Sequence, residues 1–204
     1  MKKFLAMLLS VCTCFTIGSF AACKDKDDGN ANGPVTEAEW EEMISESTFE
    51  NYTLTESGTV TPEGYEGTYH TAIIKMTADK VAIDLSLDGG GEDMIIYTGA
   101  DAIEQKNSYE QVFLALLADF ENYTYDEAEK VYKNSGEITV NVTMTDFAAT
   151  IVMKNGKLTL TEDGKLLTFV CDWTQTTTTP GGTITVKTDM NWAFSDYGTT
   201  VIAE

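Results

Sequence analysis

Few residues in this chain are equipped for chemistry. His70 is the only imidazole, and Cys12, Cys14, Cys23 and Cys171 are the only thiols. General acid–base work by His70 needs a nucleophile and an orienting carboxylate beside it, and no serine or cysteine motif accompanies it in sequence. The 33 Asp and Glu residues form many close pairs by number alone, and no spacing marks one pair as acid and base. Two acidic runs, Asp25 with Asp27 and Asp28, and Asp88 through Asp93, lack the ligand spacing of a calcium loop and read as a solvated tether and a solvated turn. Against these acids stand 13 lysines and no arginine, for a formal charge of −20. Without arginine there is no bidentate fork for phosphate or base edges, and the acidic field repels polyanions. The expectation is a chain with no catalytic residue, no cofactor, no metal site and no nucleic-acid partner.

The elements that must position any binding residues begin with an address. Lys2 and Lys3 precede the apolar run FLAMLLSVCTCFTIGSFAA, which ends in small residues before Cys23 and reads as a secretion signal over residues 1–22. The residues Phe20-Ala21-Ala22-Cys23 resemble the lipobox of bacterial lipoproteins. That resemblance implies that Cys23 is acylated, becomes the new N-terminus and anchors the chain to a membrane. An ordinary signal peptide cut nearby and an uncleaved spanning helix are the alternatives. Residues 23–35 change abruptly to a charged, Gly/Asn-rich stretch that cannot bury anything and reads as a tether. Removal of the leader leaves Cys171 as the single unmodified thiol, so no internal disulfide can form. It alternates with Leu167, Phe169 and Trp173, which makes it a buried strand residue.

From about residue 50 the apolar period is two. Val81, Ile83, Leu85 and Leu87 alternate with polar neighbours, as do Val140, Val142 and Met144, and Ile184, Val186, Met190, Trp192 and Phe194, with Thr188 the exception. Strands with one wet face belong to antiparallel sheets. Ala78-Asp79, Gly89-Gly90-Gly91, Asn155-Gly156, Asp163-Gly164 and Pro180-Gly181-Gly182 supply hairpin turns. Strands are expected near 51–60, 68–77, 80–87, 92–99, 123–132, 137–144, 147–154, 157–161, 166–175 and 183–194. The stretch TQTTTTP at 174–180 reads as a polar strand end with exposed threonines.

Two segments break the alternation. Thr36 followed by EAEWEEMI is an N-cap with Glu39 at the third helical position, a capping box, and a short acidic helix bearing Trp40, Met43 and Ile44. Residues 107–121 put Tyr109, Val112, Phe113, Leu116, Leu117 and Phe120 on one helical stripe, with Asn107 or Ser108 as cap. Nine or ten strands make a sheet about 45 Å wide, while a helix of about 14 residues is roughly 21 Å long and covers a fifth of one face. A bare apolar sheet face aggregates, so the sheet is expected to curl around the helix. Filled, it is a packed barrel; incompletely filled, it holds a hydrophobic cavity. The expected fold class is mainly β: a strongly curved antiparallel meander, a half-barrel, over 36–204 with an inner helix and a short N-terminal one.

The order of elements, the run Asn155-Gly156-Lys157-Leu158 and the terminal Phe194-Ser195-Asp196-Tyr197-Gly198 resemble the LolA/LppX-like group of bacterial lipoproteins and lipoprotein carriers. The resemblance covers most of 36–204 and implies a curved half-barrel with helices on its concave side, in which several members hold acyl chains. The absence of arginine departs from it, since an arginine lines the cavity of some carriers. The lead expectation is an extracytoplasmic, acyl-anchored, non-enzymatic domain, monomeric, facing the periplasm or the cell surface. It binds a lipid, an acyl chain or a lipidated partner through Phe113, Leu117, Phe120, Trp192 and Phe194. The alternative is a surface module for glycan or protein, using tyrosines such as Tyr97 and Tyr125.

Overall fold

A computed structural model describes residues 34–45, 49–87, 92–143 and 148–203. The leader, Cys23, the tether to residue 33 and the Gly89-Gly90-Gly91 turn lie outside the described residues.

The period-two segments form ten antiparallel strands: β1 (Tyr52–Pro62), β2 (Thr68–Met76), β3 (Lys80–Leu87), β4 (Glu92–Thr98), β5 (Tyr123–Asp126), β6 (Val131–Asn134), β7 (Ile138–Thr143), β8 (Ala148–Leu160), β9 (Leu166–Thr179) and β10 (Gly182–Ser195). Helix α1 (Glu37–Met43) precedes them, and α2 (Gly99–Leu117) separates β4 from β5. The sheet runs β4-β3-β2-β1-β10-β9-β8-β6-β5, with β7 also paired to β8. Two meanders are thus joined side by side by the antiparallel β1–β10 pair, in which Leu54 faces Phe194 and Glu56 faces Trp192.

β4 and β5 sit at opposite edges of this sheet, and α2 is the chain between them. Eight interstrand gaps span about 38 Å laid flat, whereas 19 helical residues reach about 28 Å. Backbone approaches of α2 fall on β3 and β4 at one side and on β7 at the other. Over the middle strands the space is filled by rings, with Phe113 against Trp192 at 4.8 Å and against Phe194 at 5.3 Å. The helix therefore lies as a chord across a sheet whose sides rise to meet it. This is the expected mainly β, strongly curved sheet with an inner helix.

The last carbonyls of α2 are held by side chains of other elements. Trp40 Nε1 donates to Leu117 O at 2.8 Å, and Tyr123 Oη donates to Leu116 O at 2.9 Å. The Trp40 donor is delivered by α1, whose Thr36–Glu39 capping box forms as the sequence predicts. Burial of Trp40 and Met43 fixes α1 over β5 and β6, where the indole meets Phe120, Tyr123 and Tyr132.

Three boundaries differ from expectation. Helix α2 begins eight residues before the expected 107 and ends at Leu117 rather than 121, with Phe120–Asn122 forming a separate 3₁₀ turn. Ser108 is thus no cap; its hydroxyl bonds back to Glu104 O at 2.9 Å within the helix. The single strand expected over 123–132 is the hairpin β5–β6. The strands expected at 147–154 and 157–161 are one strand, β8, because β9 is long enough to pair with both halves. Asn155-Gly156 is accordingly a bulge, with Asn155 at φ 53° and a register shift between Lys154 and Lys157.

Gly58 sits where the backbone of β10 runs close against β1. A Cβ there would lie 2.2 Å from the Asp189 carbonyl oxygen, a backbone atom that cannot swing aside. Gly58→Ala is expected to cost about 2–3 kcal/mol in denaturant unfolding, whereas Gly136→Ala, at a position open to solvent, is expected to stay within about 0.5 kcal/mol. Equal midpoints for the two variants would refute the close approach.

Candidate functional site

The concave face is built from the inward positions of each strand. On β1 these are Tyr52, Leu54, Glu56 and Val60; on β10 they are Val186, Thr188, Met190, Trp192 and Phe194. At the end of this face nearest Tyr52 the lining is aromatic. Phe49 stacks on Phe113, Tyr52 meets Phe194, and Trp192 meets Phe169 and Phe113. Phe113, Leu117, Trp192 and Phe194 are all buried here, on α2 and β10. Phe120 stands apart, half-buried against Trp40 beyond the end of the helix. Tyr97 and Tyr125 are each half-buried and packed on the core, so neither ring stands out on the surface.

Toward the opposite end the same face turns polar while staying buried. Glu56 is 1% exposed, His70 5%, Thr188 4% and Trp173 6%, and Gln175 and Thr177 are buried with them. Cross-strand register explains how they meet. Trp173 on β9 faces Thr188 on β10, Thr188 faces Val60 on β1, and His70 on β2 faces Gly58, one inward position from Glu56. Trp192 links the two regions: its Nε1 donates to Glu56 Oε2 at 2.5 Å, and its ring stands at 90° to Trp173 with centroids 5.4 Å apart.

Some of this polarity is internally satisfied. Gln175 Nε2 donates to Thr177 Oγ1 at 3.0 Å, and His70 Nδ1 lies 3.2 Å from Thr68 O. Three buried atoms are not: Glu56 Oε1, Thr188 Oγ1 and Trp173 Nε1 have no hydrogen-bond partner. An orphaned buried polar group costs about 1–3 kcal/mol, so three on one face call for a cause; Trp173 and Thr188 lie directly opposite across β9 and β10, and Glu56 lies four residues along β1 from Val60, the other partner of Thr188. Burial holds the Glu56 carboxyl well above the ordinary carboxylate range, and the Trp192 N–H offsets this only in part. Burial also pushes the His70 imidazole down to about 3. At pH 7 the His70 imidazole is neutral, and burial favours the protonated form of the Glu56 carboxyl.

Sequence reasoning placed His70 among residues able to face inward, and it does. Glu56 was missed, although its alternation with Tyr52, Leu54 and Val60 puts a carboxylate on an apolar face. Gln175 and Thr177 correct the reading of TQTTTTP as an exposed strand end: every second residue points inward, in phase with Trp173. Thr188, the exception in the β10 pattern, is one of the orphans. Cys171 is buried as expected, its thiol pushed up by burial. Among the described residues no three metal-ligating side chains converge, and no helix is long and apolar enough to cross a membrane.

No protein-family model and no curated protein sequence matches the chain. Among solved structures it is similar to a crystal structure of a LolA superfamily protein from Nitrosomonas europaea, at 6% identity and a TM-score of 0.29, over 79% of this chain and 94% of that one. Agreement at this level transfers no residue role, so the description of the site rests on strand register and side-chain contacts.

Glu56 also sets a pH dependence. Its folded pKa lies above the unfolded value, so the stability it contributes is complete below about 4.5 and declines as pH rises toward the folded pKa. Glu56→Gln keeps an acceptor for Trp192 and removes the titration. The variant is expected to match wild type near pH 4 and to exceed it progressively above, by about 1.4 kcal/mol per pH unit until the folded carboxyl ionises. Thermal unfolding between pH 4 and 8 measures this, and parallel curves for the two proteins would overturn it.

Proposed function

We propose that this chain is a membrane-anchored extracytoplasmic lipoprotein that holds a hydrophobic ligand, a lipid or acyl chain, in the concave face of its sheet and performs no catalysis. The observation that carries the reading is the composition of that face. Large apolar side chains, among them Trp173, Met190, Trp192 and Val186, surround a few buried polar atoms that lack partners within the protein. This mixture, a mostly apolar lining with a small number of fixed polar groups, is characteristic of small-molecule sites. Burial of each methylene of an acyl chain contributes about 0.8 kcal/mol, enough for the apolar part of a ligand to dominate affinity.

The non-catalytic reading is supported by the same residues. The Glu56 carboxyl accepts from Trp192 through one oxygen, and burial pushes the Cys171 thiol up, which disfavours the nucleophilic thiolate. The anchor rests on Cys23 and the leader before it. The strongly acidic chain would associate with an anionic membrane surface through that acyl group rather than through its own charge.

Solvent extraction of the purified protein followed by mass spectrometry is expected to release an acyl-containing compound in near-stoichiometric amount, separate from the covalent lipid on Cys23. Protein purified from native membranes that yields none, and that takes up none when offered, would end the reading. Cys23→Ser is expected to move the protein from the membrane fraction to the soluble one without altering its thermal unfolding; retention in the membrane would remove the acyl anchor from the proposal.

A further inference from the structure

We propose that Glu56, Thr188 and Trp173 form the polar end of the concave site, a subsite for the uncharged hydroxyl or amide head of a single-chain lipid. This rests on the reading that the concave face holds an apolar ligand and adds to it the class of head group.

The three side chains come from adjacent strands, β1, β10 and β9, and share the inward face. Each carries one buried polar atom without a partner: Oε1 of Glu56, Oγ1 of Thr188 and Nε1 of Trp173. Their chemistry is complementary to a particular kind of group. Trp173 Nε1 only donates, so it calls for an acceptor; the Thr188 hydroxyl donates or accepts; Glu56 Oε1 accepts, and donates when the carboxyl carries its proton there. A hydroxyl or a primary amide offers donor and acceptor together and satisfies such a set. The neighbouring Gln175 and Thr177 bond to each other and do not compete for the same ligand.

Charged heads fit poorly. A phosphate accepts only and brings charge, and no lysine occupies an inward position of β1, β2, β9 or β10: Lys75 and Lys187 both point outward. With no arginine in the chain, nothing here offsets the desolvation of an anion. A quaternary ammonium would meet the positive end of the Trp173 N–H, and the two indoles stand edge to face in contact rather than apart as the walls of a cage. Trp192 forms the junction: its N–H fixes Glu56 Oε2 and leaves Oε1 to the ligand, while its ring borders the aromatic region where an acyl chain would lie.

The test uses the delipidated full chain and four ligands with one common dodecyl tail: 1-dodecanoylglycerol, dodecanamide, dodecyl phosphate and dodecyltrimethylammonium, each below its micelle concentration. Binding is read from the fluorescence of Trp173 and Trp192 and by calorimetry. The glycerol ester and the amide are expected to bind about tenfold more tightly than either charged ligand. Thr188→Val, which keeps shape and removes the hydroxyl, and Trp173→Phe, which removes the N–H with part of the ring, are expected to weaken the neutral ligands about fivefold and leave dodecyl phosphate unchanged. Equal binding of all four, unaffected by the two variants, would overturn the subsite while leaving the apolar site intact. Tighter binding of the phosphate or the ammonium would overturn it as well. Failure of every ligand to bind would overturn the subsite together with the function on which it rests.

Discussion

The path of α2 constrains everything else in this fold. It leaves one edge of the sheet at β4 and must deliver the chain to the other edge at β5, and it is shorter than the flat sheet is wide. Residues 118–122 supply the rest of the distance to β5, so the curvature answers chiefly the need to cover apolar surface, with the helix as the cover. The helix is pinned at its far end by Trp40 and Tyr123, which occupy the carbonyls of Leu117 and Leu116 that would otherwise be orphaned. That explains why a short acidic helix at the start of the domain has a buried tryptophan: α1 serves as the clamp on the end of the chord. Gly58 serves the same curvature from the other side, letting β10 close onto β1 where the two meanders join.

Because the chord crosses the sheet on the aromatic half, the concave face is divided in kind. Phe49, Phe113, Trp192 and Phe194 interlock through ring contacts between 4.8 and 6.2 Å, and that half is the packed core of the domain. The polar half contributes little to such packing. One carboxyl oxygen, a hydroxyl and an indole N–H withheld from both water and partners oppose folding, and apolar residues of similar size would serve stability better there. Natural proteins concentrate such uncompensated polar groups where they act on a ligand, and retain them against the stability they forgo. The division also separates residues that look alike in sequence: Phe113 and Phe194 hold the fold, whereas Trp173, only one contact further along the face, keeps a buried N–H without a partner.

Legibility in the sequence followed physical locality. The capping box at Thr36, the hairpin turns at Ala78-Asp79 and Asp163-Gly164, and the alternation in β3 and β10 are signals carried within a few residues, and the structure contains them all. Asn155-Gly156 carries the same local signal as a turn, yet becomes a bulge because a 14-residue partner strand reaches past it; the outcome depended on β9, not on the dipeptide. The early start of α2 was hidden for a related reason. Residues 99–106 carry a weak apolar stripe, with Ala102 buried and Ile103 exposed, and are held helical as the continuation of a segment anchored elsewhere.

The site itself was the least legible part, and the cause is instructive. Glu56, Thr188 and Gln175 are each the polar exception in an alternating strand, and one exception in a strand carries almost no information, since polar residues on apolar faces are common at strand ends. Their significance is collective and arises only when β1 and the β9–β10 hairpin, more than a hundred residues apart in the chain, are set side by side in register. Three lapses in alternation then fall on one inward face, and two of them, Glu56 Oε1 and Thr188 Oγ1, are left without partners. A sheet ordered β2-β1-β10-β9 is what converts scattered exceptions into a cluster, so the pairing of the first strand with the last creates both the closed core and the polar floor beside it. The same register makes the cluster dependent on the fold: a slip of one residue between β1 and β10 would turn Glu56 to the threonine-rich outer face and remove the site while moving the core out of position with it.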